Sequence, residues 1–115
     1  MIDCPPPFAA DDVDSFRCGN GIEIRITADV EANELWLDGP ERKCGPIYWA
    51  GKRALQAALD AGPVVVTQAW DARSRKPATA PYGRLVAVVN VAGTDWHVIA
   101  EETDLAAIVS RDDYL

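Results

Sequence analysis

The order of apolar and polar positions predicts two strands near the start of the chain. Residues 22–26 alternate between isoleucine and polar side chains, which is typical of a strand with one buried and one solvated face. Residues 34–38 alternate again, with Leu35 and Leu37 on the buried side and Trp36 on the solvated side. We therefore expect these two segments to pair as an antiparallel hairpin.

The middle of the chain predicts a helix between two further strands. Residues 47–62 carry alanine and leucine on one stripe, with charged side chains mostly off it, and Pro46 suits the start of such a helix. A glycine and a proline end the pattern. Residues 64–70 are rich in valine, and residues 84–91 are apolar on both faces, which is typical of a central strand.

The C-terminal part predicts another strand and a short helix. Residues 96–102 follow a turn and predict a strand, and residues 105–110 predict a short helix capped by Thr103 or Asp104. The predicted fold is therefore α+β. It is a small, mainly antiparallel sheet of about five strands, in the order β-β-α-β-β-β-α, with the main helix packed on one face and a short C-terminal helix.

Length and composition indicate one domain with an extended start. Residues 1–20 include three consecutive prolines, which favour an extended N-terminal segment packed on the body. The chain has 115 residues, of which 49% are hydrophobic and 25% are charged, as in ordinary globular domains. We expect residues 21–115 to form a single α+β domain. The absence of a long apolar run or a secretory signal pattern favours a cytoplasmic protein that does not enter a membrane.

Charge is distributed unevenly along the chain. The formal net charge is −7, yet residues 72–94 hold four basic and no acidic side chains. The acidic total argues against direct binding of nucleic acid and permits binding to a basic protein surface. The segment 69–85 joins two predicted strands and is longer than most hairpin connections, so we expect a mobile contact loop.

The residues that most often carry chemistry form no familiar motif. Cys4, Cys18 and Cys44 follow no disulfide or zinc-binding spacing, and without an export signal we expect reduced thiols. The only histidine, His97, lies on a predicted strand, and the sequence leaves open whether it meets the cysteines in space. We therefore expect no metal or cofactor, and the sequence favours a protein that is not an enzyme.

Adjacent acids give no catalytic pair within one strand. Glu101 and Glu102 point to opposite faces of the strand predicted for residues 96–102, which indicates a solvated acidic surface. Such a surface can still steer a basic protein partner to the chain.

Aromatic and basic side chains favour a protein partner, because tryptophan and arginine are enriched at interface hot spots. The residues predicted to bind the partner are Trp36, Trp70, Arg73, Arg75, Lys76, Tyr82, Arg84, Glu101 and Glu102. We expect a small acidic binding protein, monomeric or homodimeric, that inhibits a larger bacterial enzyme or nucleoprotein complex by covering its functional surface, as phage anti-defence or immunity-type antagonists do. The alternatives are a small ligand-binding or catalytic domain with a pocket between helix and sheet, and a self-assembling structural subunit.

Overall fold

The structure is a computed structural model that describes residues 1–114. Its strands are β1 (Ala9–Asp12), β2 (Ser15–Arg17), β3 (Glu23–Ile26), β4 (Leu35–Asp38), β5 (Val64–Gln68), β6 (Trp70–Asp71), β7 (Lys76–Pro77), β8 (Thr79–Ala80), β9 (Arg84–Val91), β10 (Thr94–Asp95) and β11 (Ala107–Ser110). Its helices are α1 (Pro46–Ala61), α2 (Trp96–Glu102) and α3 (Arg111–Tyr114), with short 3₁₀ turns at Arg42–Cys44 and Pro81–Gly83.

Strand β9 is the centre of the main sheet. The sheet runs in the order β1-β2-β3-β9-β10, and β5 and β8 also pair with β9. Only the β3–β9 pair is parallel among the described strand pairs. The small pairs β4–β11 and β6–β7 lie outside this sheet. The predicted α+β class with a mainly antiparallel sheet is confirmed at this level. The main sheet has seven strands, so the predicted number and order of strands are not confirmed in detail.

Helix α1 covers one face of the main sheet, as its apolar stripe predicts. Leu55 and Leu59 are buried in the core that contains Ile24 and Val66. Gln56 ties the helix to the sheet edge, because its Oε1 accepts the Ala10 backbone N–H at 2.8 Å. The predicted start at Pro46 and end before the glycine–proline pair are both confirmed.

Of the predicted hairpin of residues 22–38, only the antiparallel contact beside its turn is present. Strand β4 pairs with β11, and a single bridge between Thr27 and Trp36 connects it to the end of β3. Both Trp36 and Leu37 are buried, because β4 lies between two apolar clusters. Trp36 fills the second cluster beside small alanines, and its Nε1 donates to Asn33 Oδ1 at 2.6 Å. The solvated position predicted for Trp36 is therefore wrong, and Leu35 is exposed instead.

The two C-terminal assignments are reversed in the structure. Residues 96–102 form helix α2 rather than a strand, and the hydrogen bond from Trp96 Nε1 to the Val13 carbonyl holds the start of this helix in the core. Residues 107–110 form strand β11 rather than a helix, since Ile108 and Val109 pair with β4. The β-branched side chains suit this edge pairing.

The segment 69–85 is not the long structureless connection that the sequence predicts. It folds into β6, β7 and β8, and the backbone N–H of Ala69 donates to the Val86 carbonyl at 2.9 Å. Arg73 donates to Glu34 at 2.6 Å and to Asp112 at 2.7 Å, which attaches the β6–β7 turn to neighbouring parts of the chain.

The N-terminal segment is tied to the sheet by a disulfide bond. Cys4 and Cys18 are joined, so the prediction of three reduced thiols is wrong, and only Cys44 is a free cysteine among the described residues. The backbone N–H of Gly19 also donates to the Pro5 carbonyl at 2.6 Å. Residues 9–17 of the predicted extended segment form β1 and β2 of the main sheet.

Candidate functional site

A cleft of about 330 Å³ lies where the β1–β2 turn faces the loop after β4 and the first turn of α1. Most of its lining side chains are ionisable. They are Asp12, Asp14, Asp38, Glu41, Arg42, Tyr48 and Arg84. Clefts that bring several titratable groups together are the usual place to look for a binding or catalytic site.

Val13 fixes the turn that carries the two aspartates. It is 2% exposed, and a Cβ built on Gly51 of α1 would lie 2.8 Å from its Cβ, so the helix can approach this closely only with glycine there. Trp96 Nε1 donates to the Val13 carbonyl at 2.8 Å. With Val13 buried, Asp12 and Asp14 on either side of it both reach the cleft.

The Asp12 and Asp14 carboxyl groups are hydrogen-bonded to each other. Asp12 Oδ1 also accepts the Asp14 backbone N–H at 3.0 Å and the Ser15 hydroxyl at 2.9 Å. Burial, together with the hydrogen bond to Asp12, raises the pKa of Asp14 to about 8. Burial alone would raise the pKa of Asp12, but the hydrogen bonds from Asp14 and Ser15 outweigh it and lower that pKa. The pair therefore holds one proton at neutral pH, as two close carboxyl groups do when their pKa values are split.

Arg25 lies behind the carboxyl pair and is completely buried. Its Nη1 donates to the carbonyls of Asp14 at 3.2 Å and Ile26 at 3.0 Å, and its Nη2 lies 3.5 Å from Asp14 Oδ2. The guanidinium also lies 5.0 Å from the centre of the Trp36 ring. The Asp12–Asp14 pair with one proton carries one negative charge, and the Arg25 guanidinium carries one positive charge. These charges balance, which limits the free energy that is lost when the three groups are buried.

Two arginines bring positive charge to the wall of the cleft. Arg84 donates from Nε to the Pro81 carbonyl at 3.1 Å, and Arg42 lies over the Trp49 ring at 5.3 Å. Within residues 1–114, neither forms an ion pair with an acidic side chain. Guanidinium groups of this kind suit an anion with a planar or tetrahedral arrangement of oxygens.

The aromatic and basic residues predicted to bind a partner are scattered. Trp70 and Tyr82 are 47% and 94% exposed, while Trp36 is 2% exposed and cannot contact a partner in the folded chain. Arg75 and Lys76 are exposed near the β6–β7 turn.

The charged residues of the predicted set differ in what they contact. Arg73 is exposed but holds two acidic partners, and Arg84 lines the cleft. Glu101 and Glu102 are exposed on α2, not on a strand.

The cysteines and His97 do not form a zinc site. Two of the cysteines are joined in the disulfide, and Cys44 is exposed. No group of three possible metal ligands occurs in the part of the chain that the structure describes. His97 lies on α2, and its buried Nδ1 has no hydrogen-bond partner within residues 1–114. Burial lowers the pKa of His97.

Sequence reasoning missed Asp12, Asp14 and Arg25. The available signal was a pair of aspartates separated by one apolar residue. An arginine follows them in the alternating segment of residues 22–26. A second acid-free stretch also went unnoticed: residues 42–59 hold four basic and no acidic side chains, and Arg42 and Tyr48 within it line the cleft.

Comparison with known proteins gives no family. No family model matches the chain, and no curated protein matches it. No helix among the described residues is long and apolar enough to cross a membrane. The function must therefore be argued from the cleft itself.

Proposed function

We propose that this chain is a small hydrolase that cleaves phosphodiester bonds in the cleft at Asp12 and Asp14. The observation that carries the proposal is geometric: the carboxyl groups of Asp12 and Asp14 line one cleft with Arg42 and Arg84, and neither arginine has an acidic partner among the described residues. A carboxylate and a carboxylic acid held together can take one proton and supply another in the same reaction.

The chemistry assigns each group one task. The ionised Asp12 accepts a proton from a water molecule, whose oxygen attacks the phosphorus and forms a new P–O bond. The ester P–O bond on the far side breaks, and the protonated Asp14 gives its proton to the departing alkoxide oxygen. Arg84 and Arg42 stabilise the negative charge that builds up on the phosphoryl oxygens.

The architecture supports a polynucleotide as the substrate. Apart from the inserted strands β4, β6, β7 and β8, the main sheet is built from β1, β2 and β3 before α1 and from β5 and β9 after it, with β9 parallel to β3, and this arrangement resembles the partly open barrel of an OB-fold. Such barrels bind oligonucleotides and oligosaccharides, so this support is a fold-level analogy. The overall charge of −7 disfavours tight binding over the whole surface. Within the cleft, Arg42 and Arg84 are the positive groups that a phosphodiester would contact, and they stand beside the acidic side chains of Asp12, Asp14, Asp38 and Glu41.

The test is cleavage of a fluorescent single-stranded oligonucleotide and of bis(p-nitrophenyl) phosphate by the purified chain. We expect turnover by the wild type and a loss of about 100-fold or more in kcat for Asp14→Asn and Arg84→Gln. Arg17→Gln is the matched control, because Arg17 is an exposed arginine on the same sheet whose ion-pair partner is Glu23. We expect the control to retain full activity.

Two results would contradict the proposal. The first is an inactive wild type on both substrates, and the second is equal activity in wild type and Asp14→Asn. A third assay checks the mechanism: activity that disappears with a chelator and returns with Ca²⁺ or Mg²⁺ would show that the carboxyls bind a cation instead of exchanging protons.

A second candidate is the partner-binding antagonist expected from the sequence, and the exposure of Trp70 and Tyr82 favours it. The test is a pull-down from host extract with wild type and with the double variant Trp70→Ala, Tyr82→Ala. A protein captured by the wild type and not by the double variant supports this function. Equal capture, or none, would argue against it.

A further inference from the structure

We propose that Trp49, with Arg42 and Lys52 beside it, is a subsite that stacks one unpaired base of the substrate next to the cleft. This inference rests on the proposed function, since it adds a specificity-determining residue to the same site. None of these three residues was among the residues predicted from the sequence to bind a partner.

The ring of Trp49 is partly open to solvent and surrounded by cations. It is 37% exposed, Arg42 lies 5.3 Å from the ring centre, and Lys52 Nζ lies 5.2 Å from it. Neither cation forms an ion pair with an acidic side chain among the described residues, whereas the neighbouring Lys43 pairs with Glu41 at 3.1 Å. An open tryptophan with unpaired cations matches the requirements of a single strand, whose bases stack and whose phosphates carry charge.

The subsite is continuous with the cleft through two residues. Arg42 and Tyr48 both line the cleft, and the Tyr48 ring contacts the Trp49 ring edge-on, with centroids 5.0 Å apart. The Tyr48 hydroxyl donates to the Asp11 carbonyl at 2.6 Å, which holds the aromatic pair against the turn that carries the aspartates. A phosphate in the cleft therefore places the adjoining base beside Trp49.

Stacking and charge cooperate at this position. A base that stacks on Trp49 displaces a cation from the ring, and the long side chain of Arg42 or Lys52 then contacts the adjoining phosphate. Double-stranded substrate lacks an unpaired base for the ring, so the subsite selects single strands.

The experiment measures binding and cleavage separately. The probe is fluorescein-labelled oligodeoxythymidine, and its dissociation constant is measured by fluorescence anisotropy with the cleavage-disabled Asp14→Asn chain as background. In that background, Trp49→Ala is expected to weaken binding at least about five-fold, and Trp49→Phe is expected to restore most of it. Trp70→Ala is the matched control, because Trp70 is the other exposed tryptophan and does not line the cleft. It should leave binding unchanged.

Three results would overturn the subsite. They are equal dissociation constants for the Trp49→Ala and Trp70→Ala chains, equal affinity for the duplex form, and equal competition by dextran sulfate, which has charge but no bases. Binding that depends on Trp49 in a chain that never cleaves would support the subsite while refuting the hydrolase. Cleavage that does not depend on Trp49 would refute the subsite and leave the hydrolase standing.

Discussion

Replacing Asp14 with asparagine is expected to remove a pH dependence from the stability of the fold. Burial raises the pKa of Asp14 from 3.8 to about 8. Between those values the folded chain keeps a proton on this carboxyl that the unfolded chain has lost, so the folded state binds more protons. The free energy of unfolding therefore falls as the pH rises through this window. The slope is at most about 1.4 kcal/mol for each pH unit, and the sharing of the proton with Asp12 makes it smaller.

Asparagine resembles the protonated form of Asp14. Its carbonyl oxygen can accept the Gly39 N–H, which now donates to Asp14 Oδ2 at 3.2 Å, and its amide can donate to Asp12. The asparagine side chain is uncharged in both the folded and the unfolded state. We therefore expect the contribution of position 14 to the pH dependence of the free energy of unfolding to disappear.

The assay is urea unfolding of both chains between about pH 5 and about pH 7.5, inside the window between the two pKa values. The stability of wild type minus that of Asp14→Asn should decrease steadily across this range. His97→Gln is the control with the opposite sign: burial lowers the pKa of His97, so its contribution is present at high pH and is lost as the pH falls. A flat difference for Asp14→Asn would show that Asp14 is ionised in the folded chain, and the acid–base assignment at the cleft would fail with it.

Two further predictions concern the disulfide and the helix. Cys4→Ser should lower the free energy of unfolding by about 3 kcal/mol, because the Cys4–Cys18 bond closes a loop with a sequence separation of 14 residues; urea unfolding with and without dithiothreitol checks this, and a reductant with no effect on wild type would contradict it. Gly51→Ala should destabilise the fold by about 1–3 kcal/mol through crowding against Val13, although helix propensity alone predicts a gain of about 1 kcal/mol. A lower urea midpoint for Gly51→Ala would show that crowding dominates, and a higher midpoint would show that helix propensity dominates. Ala57→Gly, on the exposed face of α1, measures the effect of helix propensity alone.

The segments that the sequence predicted correctly are those in which one periodicity dominates. Residues 84–91 are apolar on both faces, and the helix of residues 46–61 repeats its stripe over several turns. The alternation of residues 22–26 correctly predicts a strand, but the predicted solvated face is wrong, because Arg25 and Thr27 are completely buried. The segment of residues 96–102 is too short for its apolar positions to distinguish a helix from a strand. Trp96 and Ala100 share a face of a helix and also share a face of a strand, so only the packing against Val13 decides.

The site could be predicted less well than the fold, because its parts come from distant segments. Asp14 and Arg25 meet through the register of β2 on β3, and Arg84 reaches the same cleft from β9. Register follows from packing, which residue types alone do not specify. The disulfide was missed for a similar reason, since Cys4 approaches Cys18 only once residues 1–7 lie against the sheet.

The position of β9 has a consequence for the order in which the chain folds. This strand separates β3 from β5 and also pairs with β8 and β10. During synthesis, therefore, β3 has no partner on that side until residues 84–91 have left the ribosome, some sixty residues later. Contacts so distant in sequence slow folding and leave an open strand edge in the nascent chain. Before β9 arrives, β1, β2 and β3 can form only a small antiparallel sheet, and the isoleucines of β3 depend on early contact with α1 for cover.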